Sequence, residues 1–147
     1  MPPSAAIPDL PTQLRAAGLR VTSQRLLLHE TLADLGRHVT ADEVMRAASP
    51  RLPGLSLPTV YATLELFAQL GLLRRVTAQG AVRWDPGAEP HAHFSCTACG
   101  ALHDVAGAAD ARPLEGAAQR AGLVVDVVDV VLHGRCADCA GPALTAR

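Results

Sequence analysis

The chain has 147 residues, 49% of them apolar and 3% aromatic, so it can form one or two compact units with aliphatic cores. No apolar run reaches the roughly 18 residues of a membrane-spanning helix, and the first residues lack a secretory pattern. We therefore expect a cytoplasmic protein. A formal net charge of −1 argues against a nonspecific, strongly basic nucleic-acid binder.

The charge is unevenly distributed. Residues 1–84 carry nine arginines against six acidic residues, whereas residues 85–147 carry four against eight. All the cations are arginines, which suit bidentate contacts to phosphate and guanine. A GC-rich genome would produce the same bias, so the arginines alone decide nothing.

Four helices and a hairpin are predicted in the first half from apolar periodicity, capping residues and glycine stops. The predicted helices cover 9–17, 22–35, 40–48 and 56–70, and the predicted strands 72–76 and 81–84. This order is the layout of a winged helix, in which the fourth helix lies in the DNA major groove and the hairpin is the wing. Periodicity alone leaves a generic helical bundle with a terminal hairpin as the alternative.

The second half reads as α+β. Two prolines and a glycine mark residues 85–90 as a hinge between a domain at 1–84 and a domain at 91–147. Strands are predicted at 92–95, 101–105 and 123–132, with a helix at 110–121. Three strands and one helix make a thin core, so we expect this half to form a homodimer about a two-fold axis.

All four cysteines belong to two C-x-x-C pairs, Cys96 with Cys99 and Cys136 with Cys139. Each pair lets two thiolates bind one metal from a tight turn, and two pairs complete a tetrahedral sulfur site that selects zinc. Two disulfides or a redox motif are the alternatives. A cytoplasmic location disfavours disulfides, and a thioredoxin-like motif needs one pair beside a βαβ unit that the sequence lacks.

A second group of donors lies near the hinge. His91 and His93 share one face of a strand, and His38, Asp85 and Asp104 are weaker candidates for the same site. Three imidazoles and two carboxylates form a borderline-to-hard donor set that favours Fe²⁺ or Mn²⁺, whereas the soft sulfur site favours zinc. Taken singly, any one of these residues could be an ordinary loop residue.

Together these features resemble the ferric uptake regulator family over about residues 14–139. The resemblance is carried by Gly18 to Arg25, Thr40 to Glu43, Ser56 to Tyr61, Leu70 to Leu72, Trp84-Asp85, His91 to Gly100, and Cys136 to Cys139. It implies an N-terminal winged-helix DNA-binding domain and a C-terminal α/β dimerisation domain. It also implies a structural zinc held by four cysteines, a regulatory metal at the domain junction and repression of transcription at operator DNA.

The regulatory set His38, Asp85, His91, His93 and Asp104 looks most like the peroxide-responsive branch of that family. Iron-uptake regulators usually carry Glu at the positions of Asp85 and Asp104, and zinc-uptake regulators use a further cysteine. The resemblance implies that Fe²⁺ would react with hydrogen peroxide and that His38 and His91 would be oxidised. A manganese- or iron-responsive uptake regulator without peroxide sensing is the alternative.

Two positions depart from the family pattern. Ala62 stands where members often carry Arg or another polar residue, which puts one DNA contact in doubt. Pro90 and Ala92 stand where some members carry ligands of an additional metal site, which we therefore expect to be absent.

Candidate DNA contacts lie in three places in the first half. We expect backbone contacts near the start of the second helix, base contacts on the fourth helix, and further contacts beside the wing. These residues are Arg20, Thr22, Gln24 and Arg25; Thr59 and Tyr61; and Arg74, Arg75 and Arg83. Ordinary surface charge is the alternative explanation for each arginine.

Two other classes of protein fit the sequence less well. A metalloenzyme would need an open metal position and a general base, and the chain has neither H-E-x-x-H nor H-x-E with P-C-x-x-C. We therefore expect no enzymatic activity. A zinc-stabilised protein-interaction module would not need Thr59, Val60 and Tyr61 on a capped helix.

Overall fold

A computed structural model of the chain describes residues 9–36, 38–87, 91–107 and 110–141. The chain divides into two compact units, Met1–Ala88 and Glu89–Arg147. Residues 88–90 of the expected hinge lie outside the described residues. No described helix is both long and apolar enough to cross a membrane.

The first unit has four helices followed by a hairpin, as predicted. Its elements are α1 (Leu10–Ala16), α2 (Ser23–Leu35), α3 (Ala41–Ala48), α4 (Leu57–Gln69), β1 (Arg74–Ala78) and β2 (Ala81–Asp85). The predicted N-caps of α2, α3 and α4 are present: the hydroxyls of Thr22, Thr40 and Ser56 each accept a backbone N–H three residues ahead. The backbone N–H of Thr40 donates to Oε2 of Glu43 at 2.9 Å, which completes the capping box of α3.

The core of the first unit is aliphatic apart from two aromatic side chains, Phe67 and Trp84, both fully buried. Leu28 and Leu32 of α2 pack with Val44 of α3 and Leu64 of α4 in one cluster. Burying each leucine contributes about 1.5–3 kcal/mol, so the apolar faces of the three helices hold the unit together.

The hairpin turns at Gln79 and Gly80, whose φ angles of 52° and 75° are both positive. Two positive φ angles are what a tight two-residue hairpin turn of type I′ requires, and glycine suits the second position. β1 starts at Arg74 rather than at Leu72 as predicted. Leu72 and Leu73 are instead buried in the helical core.

The second unit contains a three-stranded sheet. Its elements are β3 (Ala92–Cys96), β4 (Leu102–Val105), α5 (Arg112–Arg120), β5 (Val131–Gly134) and α6 (Ala137–Ala140). The strand order is β4-β3-β5, with β3 antiparallel to β4 and parallel to β5. The architecture of the whole chain is therefore α+β, as expected.

The predicted strand at 123–132 is wrong for most of its length, because only Val131 and Leu132 fall in β5. Residues 123–130 form no strand, and Leu123, Val124 and Val127 are exposed. A strand needs a neighbour for its backbone groups, and in the described part of the chain β3 offers one only from Val131 onward. Apolar alternation alone cannot reveal whether that neighbour exists.

Candidate metal centres and nucleic-acid interface

The sulfur site is built by the pairing of β3 with β5. Cys96 ends β3 opposite Gly134 of β5, so the turn after each strand lies at the same end of the sheet. The Thr97 N–H donates to the carbonyl of Gly134 at 2.7 Å and ties the two turns together. This arrangement brings Cys96, Cys99, Cys136 and Cys139 together as predicted, with all four sulfurs within 4.8 Å of one another.

The sulfur geometry fits a metal rather than disulfides. The Sγ atoms of Cys99 and Cys136 are 3.9 Å apart, and all four cysteines are free. A disulfide has a sulfur separation of about 2.05 Å. Tetrahedral zinc with Zn–S bonds of about 2.3 Å places its sulfurs about 3.8 Å apart. The four side chains therefore suit zinc.

The thiols are held in unequal protonation states before a cation binds. The backbone N–H of Cys136, 3.4 Å from Sγ of Cys96, lowers the pKa of the Cys96 thiol to about 6. Hydrogen bonding with the Cys136 side chain, and then with Cys99, raises the pKa of Cys139 to about 12. These hydrogen bonds favour the thiolate of Cys96 and the protonated thiol of Cys139, so zinc binding, which requires thiolates, would release protons from the cluster.

The first unit supplies two of the predicted regulatory ligands. Val39 and Trp84 form an isolated antiparallel bridge, with N–H to O distances of 3.0 and 2.7 Å in the two directions. This bridge brings the adjacent residues His38 and Asp85 together, with 3.7 Å between Nε2 of His38 and Oδ2 of Asp85. Asp85 is buried, and its other oxygen accepts the N–H of Gly87 at 2.8 Å.

The second unit supplies the other three ligands. His93 on β3 pairs with Asp104 on β4, and His91 lies just before the strand on the same face. The rings of His91 and His93 are 4.4 Å apart between centroids. One oxygen of Asp104, Oδ1, lies 2.9 Å from Nε2 of His91 and 3.7 Å from Nε2 of His93.

This donor set in the second unit is two imidazoles and one carboxylate, a combination used by mononuclear Fe²⁺ sites and accepted by Mn²⁺. Both ring nitrogens lie within 3.7 Å of one oxygen of Asp104, a separation that two metal–ligand bonds of about 2.1 Å can span. The side chain of His93 is only 2% exposed, which fixes its ring. The residues present therefore fit a borderline-to-hard divalent cation.

The described first unit also carries the expected DNA-facing helix. α4 begins at its Ser56 cap, buries Val60, Leu64 and Phe67, and leaves Tyr61 41% exposed. Beside it, Nη1 of Arg25 on α2 donates to the carbonyl of Arg20 at 2.6 Å, which holds two candidate phosphate contacts together.

With these features in place, comparison with known proteins identifies the family. The model of the ferric uptake regulator family matches residues 16–132. The chain belongs to the ferric uptake regulator family. It is 32% identical to the transcriptional regulator FurA of Mycobacterium tuberculosis over 137 residues, 92% of each chain. It is 36% identical over 92 residues to the peroxide-responsive repressor PerR of Staphylococcus epidermidis, covering 62% of this chain and 61% of that repressor.

A solved structure of a similar regulator supports the same family. The peroxide stress regulator of Campylobacter jejuni is 27% identical, with a TM-score of 0.62 over 89% of this chain and 99% of that one. Other solved members contain iron, manganese or zinc, and one is bound to DNA. The chain is thus a metal-dependent transcriptional regulator of the ferric uptake regulator family.

The candidate DNA-contact residues of this chain lie near the start of α2, on α4 and on the hairpin. Arg20, Thr22, Gln24 and Arg25 lie at the start of α2, while Thr59 and Tyr61 lie on α4. Of the three wing arginines, Arg74 and Arg75 lie at the base of the hairpin and Arg83 lies midway along it. Arg74 and Arg83 are half-buried, and Nε of Arg75 is 3.9 Å from Oε1 of Glu65 on α4.

Two features of this family member escaped the sequence analysis. The Val39–Trp84 bridge escaped because one isolated pair leaves no periodic signal. A groove of about 410 Å³ between α2 and α4 escaped because it depends on packing; it is lined by Gln24, Arg25, Pro58, Thr59, Ala62, Thr63 and Leu66.

Proposed function

We propose that the chain is a cytoplasmic, homodimeric repressor whose operator binding depends on Fe²⁺ or Mn²⁺, and that it senses peroxide through oxidation of a ligand histidine. Residues 1–84 would bind DNA, residues 85–90 act as the hinge, and residues 91–147 dimerise around the zinc site. It has no enzymatic role in this account. The chief support is the convergence of His91 and His93 on one oxygen of Asp104.

The proposed regulatory ion takes ligands from both units, with His38 and Asp85 from one and His91, His93 and Asp104 from the other. Within each unit, the ligands already lie within hydrogen-bonding or ion-pair distance. When bound, the cation supplies positive charge and directional coordination bonds. Ligand residues shared between the units would restrict the hinge, which is the basis of the regulation we propose.

The consequence for DNA binding follows from two-fold symmetry. In a dimer, the angle between the units sets the separation of the two α4 helices, and DNA half-sites recur about every 34–36 Å. A metal that favours the matching angle raises operator affinity, and by linkage the operator raises metal affinity by the same factor. Arg20, Arg25 and their neighbours on α2 would bind the phosphates.

Dimerisation is supported by the apolar side chains that the second unit leaves exposed. Among its described residues only Ala92 and Cys96 are buried apolar residues. Leu114 is 70% exposed, Val124 88% and Val127 69%. A sheet and helix with this little core need a further surface to cover them, and a second copy supplies one of matching chemistry.

Peroxide sensing is proposed at His38 and His91. In the net reaction one oxygen atom of hydrogen peroxide is added to the imidazole, and the other leaves as water, so the histidine loses two electrons and the peroxide gains them. The oxidised ring would be a weaker ligand, which would release the hinge and the DNA. The Asp pair, Asp85 and Asp104, supports this branch over iron uptake.

The test treats zinc-loaded protein, bound to Fe²⁺ or to Mn²⁺, with a small excess of hydrogen peroxide. Peptide mass spectrometry should find +16 Da on His38 or His91 in the iron form only, together with loss of a metal-dependent gel shift on promoter DNA. His133, which is exposed and is not among the proposed ligands, is the internal control. A gel shift with both metals and no histidine oxidation would indicate a manganese- or iron-responsive regulator instead.

A further inference from the structure

The DNA-facing helix is unusual in its charge. α4, Leu57–Gln69, contains no lysine, arginine or histidine, and its one charged residue is Glu65. Specific reading of guanine most often uses Arg or Lys, which donate to O6 and N7 in the major groove. A helix without a cation has no such donor, so any bases it reads must be recognised by neutral groups.

Apart from the hydroxyl of the exposed Tyr61, the hydroxyls at this helix make hydrogen bonds within it. Oγ of Ser56 and Oγ1 of Thr59 lie 2.8 Å apart, and the Thr63 hydroxyl donates to the carbonyl of Thr59 at 2.9 Å. These three hydroxyls are engaged within the helix. On the α4 side of the groove between α2 and α4, the remaining groups include the exposed methyl of Ala62 and the partly buried side chain of Leu66, while α2 contributes Gln24 and Arg25.

Arg75 on the wing does not supply the positive charge that α4 lacks. Arg75 lies 3.9 Å from Glu65, and both side chains are about half exposed. A guanidinium paired with a carboxylate would have to give up that partner to reach a base. This pair keeps the middle of α4 close to neutral, so the exposed methyl of Ala62 lies on a part of the helix without net positive charge.

We propose that α4 reads thymine through its C5-methyl group, with Ala62 as the specificity-determining contact, and that this helix reads no guanine. The inference rests on the proposed function in one respect, that α4 enters the major groove. The thymine methyl is the apolar feature of the major groove, and alanine and threonine methyls are its usual partners. The groove beside Ala62 is open enough to admit it.

The experiment starts from the zinc-loaded, manganese-saturated full chain and a random duplex library. After selection, each thymine of the enriched site is replaced in turn by deoxyuridine, which removes only the methyl. At one thymine in each half-site we expect affinity to fall about fourfold, the value of one buried methyl. In parallel, Ala62→Arg should gain a guanine preference in each half-site.

Ala47→Arg is the matched control, because Ala47 is an exposed alanine on α3 and receives the same added charge. It should leave base preference unchanged. If deoxyuridine changes affinity by less than about 1.5-fold at every position, or Ala62→Arg alters no base preference, the inference is overturned while the regulator remains. If manganese-loaded protein enriches no DNA at all, the proposed function itself fails.

Discussion

Val39 and Trp84 exchange both of their backbone hydrogen bonds, and this single pair aligns His38 with Asp85. The two residues come from distant parts of the first unit, a loop before α3 and the end of β2. Two of the five proposed regulatory ligands are therefore positioned by main-chain pairing rather than by contacts of their own side chains. Changes that leave every ligand intact can still abolish it.

Replacing Val39 by proline removes the N–H that donates to Trp84. We expect Val39→Pro to weaken Mn²⁺ binding by about tenfold or more, comparable to the loss of a residue that orients a metal ligand. Val39→Ala is the control, because it keeps the N–H and loses only buried apolar contacts. Isothermal titration of both variants, each checked for a cooperative thermal transition, measures the difference. Equal Mn²⁺ affinities would show that the bridge does not position the site.

Removing the carboxylate shared by two histidines tests the ligands of the second unit. Asp104→Ala deletes the oxygen that lies 2.9 Å from His91 and 3.7 Å from His93, so we expect Mn²⁺ affinity to fall about 10- to 100-fold. Trp84, the chain's single tryptophan and next in sequence to Asp85, reports the titration by fluorescence. Asp126→Ala, at an exposed carboxylate, should match wild type. Unchanged affinity in Asp104→Ala would remove Asp104 from the ligand set.

The zinc site predicts a structural dependence on all four sulfurs. Cys136→Ser removes one ligand and the link to Cys96, so we expect loss of bound zinc and of cooperative unfolding in the second unit. Elemental analysis of wild type should find one zinc per chain. Thr97→Ser, which keeps a hydroxyl near Gly134, serves as the control at the same turn. A zinc-free Cys136→Ser protein with unchanged thermal unfolding would contradict a structural role.

Acid should destabilise the first unit through His29 on α2. Burial lowers the pKa of His29, although Glu30 and Asp9 oppose the shift, and its Nε2 is buried with no hydrogen-bond partner in the described structure. The ring of His29 packs edge-to-face with the ring of Phe67 on α4, with 5.9 Å between the ring centroids. Below about pH 6.5 the unfolded chain takes up a proton that the folded chain resists. The free energy of unfolding therefore falls as pH drops, until the folded state is also protonated.

The measurement is urea unfolding of wild type and His29→Leu between pH 8 and pH 5. All other ionisable groups are the same in both proteins, so their contribution cancels in the difference. Stability of wild type relative to His29→Leu should decrease on acidification from about pH 7. A constant difference across this range would mean that His29 titrates alike in both states.

A charge placed on the exposed apolar segment should separate the dimer. Val127 is 69% exposed in the single chain, so Val127→Asp costs little there but places an unpaired carboxylate in the proposed interface. We expect a shift from dimer to monomer in sedimentation velocity at micromolar concentration. Ala47→Asp, on α3 of the first unit, should remain dimeric. A dimer that survives Val127→Asp would locate the interface elsewhere.

Local signals in the sequence predicted most of the fold. Thr22, Thr40 and Ser56 each have a side chain that can cap a helix only at its start, so the beginnings of α2, α3 and α4 followed directly. The cysteine spacing predicted a four-sulfur cluster for a similar reason, since each C-x-x-C is a complete local unit.

Features that depend on partners distant in sequence were harder to predict. Residues 123–130 alternate like a strand, yet whether they form one depends on a neighbouring strand that a single chain does not show. The pairing of His38 with Asp85 depends on one backbone bridge. The neutral character of α4 was visible in its composition, but its significance required the occupied hydroxyls of Thr59 and Thr63.

Zinc in the sulfur cluster would also close a long loop, because Cys96 and Cys136 lie 40 residues apart. Zinc bound there would crosslink the chain much as a disulfide does, and a loop of that length corresponds to about 4 kcal/mol of lost entropy in the unfolded chain. Unlike a disulfide, such a crosslink survives in a reducing environment. It would fail instead under zinc starvation or thiol oxidation, which ties the lifetime of the folded second unit to the cell's zinc supply.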